Sequence, residues 1–474
     1  MPISNLAADI IRNPIEPRRI AMSTLFDQSG LTQIAERLVE AARRHGADAA
    51  DAVAVRGISQ SIDVRDGSVE ASQRSEGDNV GLRAFVGRRQ AVVSTNDLTA
   101  HGNGAVDAIA ERVVAMARAA PEDRFAGLAE PQWLARDLPD LDLLDEAMPS
   151  VIELEALAAT AERAAIAVKG VTKSGGASAS AGIGGMVLVT SGGFRGAYLG
   201  SRHGVSIEAI AGEGTAMERD YDFASARHGA DLEAAEKIGH TAGERAVRRL
   251  NPRKVATRRV PVVFDQRVAA SLVGHLASAI NGAAIARKTS FLQHDMGKEI
   301  FSPAVTIIDD PLRPRGLRSQ PFDAEGVATS RRALIENGVL KTWVLDCATA
   351  RELGLVTTGH AQRGVSSAPS PATTNLHLQA GHVTPHELFE DIADGLYVTD
   401  LIGMGANTVT GDYSRGAAGF WIERGELTFP VSEVTIAGHL RDMFRALVPA
   451  NDLVFRHGIN SPTVRLEEMT VAGV

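Results

Sequence analysis

The sequence predicts an α+β chain in several parts: an N-terminal helix and strand unit, a middle α/β segment and a large β-rich C-terminal domain. Three observations carry this. Helical apolar spacing over residues 31–45 gives way to period-two alternation from Val53 to Arg65, closed by the turn signal Asp66-Gly67. A stretch from Pro121 to Pro149 holds four prolines and little periodicity. From Val260 onward, one long apolar helix is followed by short strand signals separated by glycine.

Each element follows from its residues. Residues 1–22 carry Pro2, Pro14 and Pro17 and no apolar centre, and read as a disordered tail, with Met22 as an alternative start. Leu31, Ile34 and Leu38 share one helical face, and Gly46 ends that helix. Val69, Val80–Val86 and Gln90–Ser94 read as short strands, and 104–119 as a second helix, giving a domain over 23–120. Pro121–Pro149 reads as a linker or extended wrap. Residues 151–169 and 231–249 read as helices, with strands at Val187–Thr190 and Val205–Ala211, in a segment spanning 121–250. Between them, Ser178 and Ser180 lie in a Gly/Ser/Ala stretch that reads as a surface loop. Asn251-Pro252 ends the last helix and opens the C-terminal domain, 251–474. There, Val260–Phe264 is a strand and Gln266–Ile285 a buried helix. Short strands are expected at Ala304–Ile308, Ala333–Ile335, Leu340–Leu345, Gly419–Ile422, Leu427–Phe429 and Val434–Ile436.

Composition limits the function classes. The 474 residues suit two or three domains at about 100–200 residues each. Lys plus Arg is 49 and Asp plus Glu is 58, a net charge of −9 that argues against direct nucleic-acid binding. One cysteine, Cys347, can make neither an internal disulfide nor a Cys-rich zinc site, which fits a reducing cytoplasm. No apolar run reaches the length of a membrane span.

The search for chemistry starts with metal sites. His382 and His386 are four apart, but Thr384-Pro385-His386-Glu387 reads as a helix-capping box, so the rings are not expected to share a face. His275 sits at the edge of the 266–285 stripe with Ala279, not a ligand, one turn on. There is no Gly-x-Ser-x-Gly elbow and no Walker A loop, and Gly403-Met404-Gly405 leads into polar turns. Cys347 reads as buried and inert. The most distinctive text is Gly411-Asp412-Tyr413-Ser414-Arg415-Gly416, between strand signals. Two readings stand for it: a peptide held by strand addition to exposed backbone, or a tight barrel corner closed by an Asp412–Arg415 pair.

With these residues the sequence resembles the TldD/PmbA family, described both as modulators of DNA gyrase and as metalloprotease subunits, and its PmbA (TldE) branch above all. The matching text includes Gly274-His275-Leu276, 287–292, Gly297-Lys298, 321–327, Gly359-His360-Ala361, 411–423 and 430–438. The likeness spans residues 30–474. In the TldD branch a His-Glu-x-x-x-His helix supplies two zinc ligands and the general base, and a C-terminal cysteine the third ligand. Those helix positions fall on Gly274, His275 and Ala279, and no cysteine lies near the C-terminus.

The resemblance therefore implies a chain with no catalytic residue and no metal of its own, with zinc in a TldD-like partner. It implies a heterodimer, or a homodimer in the partner's absence, enclosing a chamber for unfolded peptides. Gly411, Asp412, Tyr413, Ser414 and Arg415 are then candidates for peptide binding or chamber wall. Two alternatives stay open: an independent homodimeric metallopeptidase using His275, His360 and the Asp323/Glu325 pair, or a non-proteolytic protein-binding regulator. On a strand, Asp323 and Glu325 share a face and suit a metal; in a loop they are solvated.

Overall fold

The computed structural model describes residues 27–97 and 103–473; the expectations for residues 1–22 lie outside them. The chain is mixed α+β throughout. Its first half is built on six long antiparallel strands: β1 (Ala49–Arg65), β2 (Ser68–Val86), β3 (Arg89–Thr95), β4 (Val171–Thr190), β5 (Arg195–Ala211) and β6 (Glu218–Ala226). Their order in the sheet is β3-β2-β1-β4-β5-β6. Both N-terminal segments thus share one sheet, joined where β1 pairs with β4.

The hairpin at Asp66-Gly67 forms as its sequence predicts. Both residues have positive φ, 51° and 73°, as the two-residue turn that matches strand twist requires. Their N–H groups donate to the buried Glu162 carboxylate at 2.9 and 2.8 Å. Four helices cover one face of the sheet: α1 (Ser29–Arg44), α2 (Asn103–Ala119), α3 (Val151–Ile166) and α4 (Ala235–Arg248). Helices α1 and α2 pack on Ala50, Ala52, Val187 and Val189. Helices α3 and α4 pack further along the same strands, on Ile62, Ala177, Ala179 and Ile207.

Two local expectations are corrected, and one of two open readings is decided. The Gly/Ser/Ala stretch is not a surface loop: Ser178 and Ser180 lie within β4, paired to β1 and β5. The strand signals at Val69 and Val80–Val86 belong to one strand, and Val205–Ala211 is the end of a longer one. Pro121–Pro149 runs as an extended wrap, with Leu141 and Leu143 buried and backbone bonds to Arg315 and Ser201.

In the C-terminal half, β7 (Arg258–Phe264) lies between Asp394–Ile402 and Val464–Ala472. The sheet continues through Asp412–Glu423 to Glu426–His439, and Thr435–Ala437 pairs with Thr470–Ala472. That pairing closes five strands into a ring, which removes the exposed edges. Gly419–Ile422, Leu427–Phe429 and Val434–Ile436 are therefore parts of two long strands, joined by a turn at Arg424-Gly425. A second sheet of short strands holds Val339–Leu340, Arg332–Glu336, Ile307–Asp309, Leu376–Leu378 and Ile459–Asn460.

Helix α5 (Gln266–Ala279) packs against strands of both sheets. Asp265 caps it by accepting from Arg267 N–H at 3.0 Å. The expected single helix to Ile285 is two: α5 stops at Ala279, and Asn281 caps a separate turn, Gly282–Ala286, accepting from Ala283 N–H at 3.0 Å. On the opposite face of the long-stranded sheet from the four helices, Val53, Leu188, Phe194 and Phe322 form the apolar contact to this half. Among the described residues, no helix is long and apolar enough to cross a membrane.

Candidate functional site

Helix α5 buries Val268, Ala269, Leu272, Val273, Leu276 and Ala279. That stripe fixes the helix rotation and hence the places of the three positions singled out in sequence. Ala279 is fully buried, and its carbonyl accepts from Ser290 Oγ at 2.6 Å. Gly274 lies half-buried on a neighbouring cavity wall, where an added Cβ would sit 3.8 Å from Ile459 Cδ1. His275 points toward the strand that begins at Asp412, its ring edge-on to Tyr413 with centroids 5.9 Å apart.

The structure thus brings His275 together with part of the Gly411–Arg415 motif. Tyr413 is buried, and burial pushes its phenol up to about 12 against the pull of the nearby Arg415 charge. Burial lowers His275 to about 4, and the Arg415 charge adds to the effect, so the imidazole is neutral at pH 7. Arg415 gives Nη2 to the Leu401 carbonyl at 3.3 Å. Three buried polar atoms here have no hydrogen-bond partner among the described residues: His275 Nε2, Tyr413 Oη and Arg415 Nε.

The rest of the motif is backbone architecture. Gly411 has φ +92°, and a Cβ there would fall 2.6 Å from the His439 ring. Tyr413, Ser414 and Arg415 pair with Gly438, Ala437 and Ile436 on one side, and Ser414 N–H donates to Gly405 O at 2.7 Å on the other. Backbone that is paired on both sides cannot add a further strand, so the strand-addition reading of 412–415 is corrected. The expected Asp412–Arg415 pair does not form either. Asp412 accepts from Thr410 Oγ1 at 2.6 Å, while Arg415 turns to Leu401. Asp412 and Ser414 present exposed side chains.

The other sequence candidates have structural partners. Asp323 is fully buried and is not solvated; it accepts from the N–H groups of Glu325 and Val327 at 2.9 Å and of Ala361 at 3.1 Å. Burial and the Glu325 charge push Asp323 up to about 8. Burial also raises Glu325, which accepts from Cys347 N–H at 2.8 Å. The Cys347 thiol is buried and pushed up, chiefly by that burial and by Glu325. A thiol held protonated is a poor nucleophile. His360 bonds Thr358 Oγ1 at 2.9 Å and Asp309 Oδ2 at 3.2 Å. Among the described residues, no hydrogen bond or ion pair joins His275 to His360, Asp323 or Glu325. Thr384 and Glu387 make their reciprocal capping bonds, although the segment is a turn and not a regular helix, and His386 faces Glu390 at 3.7 Å.

Two features had no sequence signal. Asp51 is held between Arg83 at 2.9 Å and Arg363 at 2.6 Å, all three buried, tying the long-stranded sheet to the C-terminal half. A cavity of 530 Å³ lies between the same two parts, lined by Tyr198 and Arg227 on one side and α5 on the other. The residues involved are scattered through the chain, so no spacing announces them.

A six-stranded helical sandwich joined to a closed β ring, with a ligand-poor helix between two sheets, defines a class of multi-part α+β protein. Family models match almost the whole of it. They are the PmbA/TldA metallopeptidase domain 1 over residues 50–117, the central domain over 144–250 and the C-terminal domain over 257–473. The metalloprotease PmbA of Escherichia coli is 37% identical over 459 residues, covering 96% of this chain and 99% of its own length. The chain belongs to the PmbA/TldD metallopeptidase family. A Bacteroides thetaiotaomicron protein described as a candidate modulator of DNA gyrase superposes with a TM-score of 0.86 at 27% identity, covering 93% of this chain and 98% of its own. TldE from Thermococcus kodakarensis shares the fold, with a TM-score of 0.83 at 21% identity over 93% of this chain and 100% of its own.

The family name implies a metal, and the donors at α5 decide whether the site suits one. A catalytic zinc draws on three protein ligands. Gly274 and Ala279 carry no donor atom, and the one imidazole, His275, faces a guanidinium that repels cations. The residues at this helix do not fit zinc.

Proposed function

We infer that this chain is the non-catalytic subunit of a two-chain zinc metallopeptidase acting on unfolded peptides in the cytoplasm. The observation that carries the reading is the donor set on α5: Gly274 and Ala279 without ligands, and a neutral His275 beside Arg415. A chain of this family without a zinc site needs a TldD-like partner to supply one. The shared fold with TldE, named as such in Thermococcus, supports that pairing. In this reading α5 and the strand from Asp412 form part of a chamber wall. The exposed side chains of Asp412 and Ser414, not their backbone, are what a peptide would meet.

The test is peptide hydrolysis by the purified chain, by a TldD-like partner, and by their mixture, with zinc supplied and a chelator control. The expected result is activity in the mixture above that of both separate samples. Chelator-sensitive hydrolysis by this chain alone, equal to that of the mixture, overturns the reading.

A further inference from the structure

The 530 Å³ cavity beside Gly274 is lined by two arginines and by no carboxylate. The chain carries a net charge of −9, yet no Asp or Glu is among the described residues lining this cavity, while Arg227 and Arg318 both are. Neither guanidinium has a carboxylate partner among the described residues. Arg227 spends its donors on three carbonyls: Gly316 at 3.2 Å, Leu317 at 2.7 Å and Ser201 at 3.1 Å. It is largely buried, and that burial lowers its pKa from the ordinary arginine value, as expected of a cation short of counter-charge. Arg318 is exposed but placed: a Cβ on Gly458 would fall 2.2 Å from Arg318 Nε, so only glycine leaves room for the side chain to lie there.

A second observation points to a ligand. Gln320 lines the same cavity, is 8% exposed, and leaves its Nε2 without an acceptor. A buried amide donor left unpaired costs stability unless something binds there. Two cations and an orphaned N–H around one space suit an acceptor-only anion. Ala277, Val344, Pro371 and Ile459 supply apolar walls for an organic body attached to it.

We propose that this cavity binds a carboxylate carried by a short peptide, either its free C-terminus or an acidic side chain, with Arg318, Arg227 and Gln320 as the recognising groups. That the bearer is a peptide rests on the function inferred above; the carboxylate preference rests on the cavity alone. The Arg318 guanidinium fork matches a carboxylate in plane, while Arg227, whose donors already serve three carbonyls, adds positive charge. The site lies on the Gly274 side of α5, apart from the His275–Tyr413–Arg415 cluster.

The experiment is isothermal titration of the chain by itself, so that its failure is independent of any failure to form an active mixture. Three probes are compared: N-acetylated tri-alanine with a free C-terminus, the same peptide as the C-terminal amide, and an amidated tripeptide with glutamate at its centre. The expected result is binding of at least one acid-bearing probe about tenfold or more tighter than the neutral amide. Which of the two binds identifies the carboxylate source. Arg318→Gln is expected to weaken that binding by about tenfold, and Gln320→Glu to do so by introducing repulsion. Arg318 is exposed and its side chain makes no hydrogen bond or ion pair among the described residues, so its replacement is a clean test of binding. Equal binding of all three probes, or an unchanged affinity in Arg318→Gln, overturns the proposal. Displacement of the peptide by inorganic phosphate at a lower concentration overturns the carboxylate assignment.

Discussion

The Asp323–Glu325 turn and the His275–Tyr413–Arg415 cluster are both polar groups withdrawn from water, and they differ in what their polar atoms meet. Around Asp323, three backbone N–H groups are satisfied by one carboxyl group, and Glu325 takes the Cys347 N–H. Around His275, three side-chain atoms are buried with no partner. Buried polar groups are normally paired, and exceptions call for an explanation. The first cluster holds the fold. The second leaves His275 Nε2, Tyr413 Oη and Arg415 Nε without partners among the described residues, at a cost in stability.

That contrast predicts opposite responses to mutation. The largest effect is expected at a third buried cluster, where one carboxylate pairs with two arginines. Asp51→Ala strands Arg83 and Arg363 as uncompensated buried cations, a loss of roughly 3–5 kcal/mol measurable by urea unfolding. Asp323→Ala frees three buried N–H groups, and a loss of about 3 kcal/mol or more is expected in the same measurement. An unchanged unfolding midpoint in either variant would mean that the pairing does not support the fold. His275→Phe removes an unpaired buried nitrogen, and is expected to change stability by less than about 1 kcal/mol.

The pH dependence sharpens the same comparison. His275 is lowered from 6.5 to about 4 in the folded chain. The unfolded chain therefore takes up a proton at higher pH than the folded one. The contribution is fully present above pH 6.5 and is lost as pH falls toward 4. Stability of His275→Gln should decline less over that window than stability of the parent. Parallel curves would place the His275 titration elsewhere.

Much of the fold is legible in the sequence, and the exceptions have physical causes. The Asp66-Gly67 hairpin and the helices over 103–119 and 151–166 follow from turn chemistry and periodicity. The first part of strand β4, before Val187, is hidden in the sequence because its buried face is made of Ala177, Ala179 and Ala181, which give little hydropathy contrast with glycine and serine. Small residues serve close packing there: in the helix pair above, a Cβ on Gly239 would lie 2.0 Å from Ala161 O. The two long C-terminal strands read as fragments because Gly416, Gly419 and Pro430 interrupt the pattern, while ring pairing keeps them extended. The end of α5 was overrun because Asn281 can cap a new turn while apolar spacing continues through Ile280 and Ile285.

The candidate site divides in the same way. That Gly274 and Ala279 carry no donor atom is a matter of residue type, legible at positions that the family resemblance picks out. The meeting of His275 with Tyr413, and the loss of the Asp412–Arg415 pair, depend on which face of a strand packs on α5. The cavity of Arg227, Arg318 and Gln320 draws on parts of the chain with no common period.

The measurement that bears most directly on the central claim is zinc content of the purified chain, of a TldD-like partner and of the complex they form, by native mass spectrometry with elemental analysis. The account predicts zinc in the partner and in the complex, with none retained by this chain after dialysis. Stoichiometric zinc on the isolated chain, lost in His275→Phe, would contradict it.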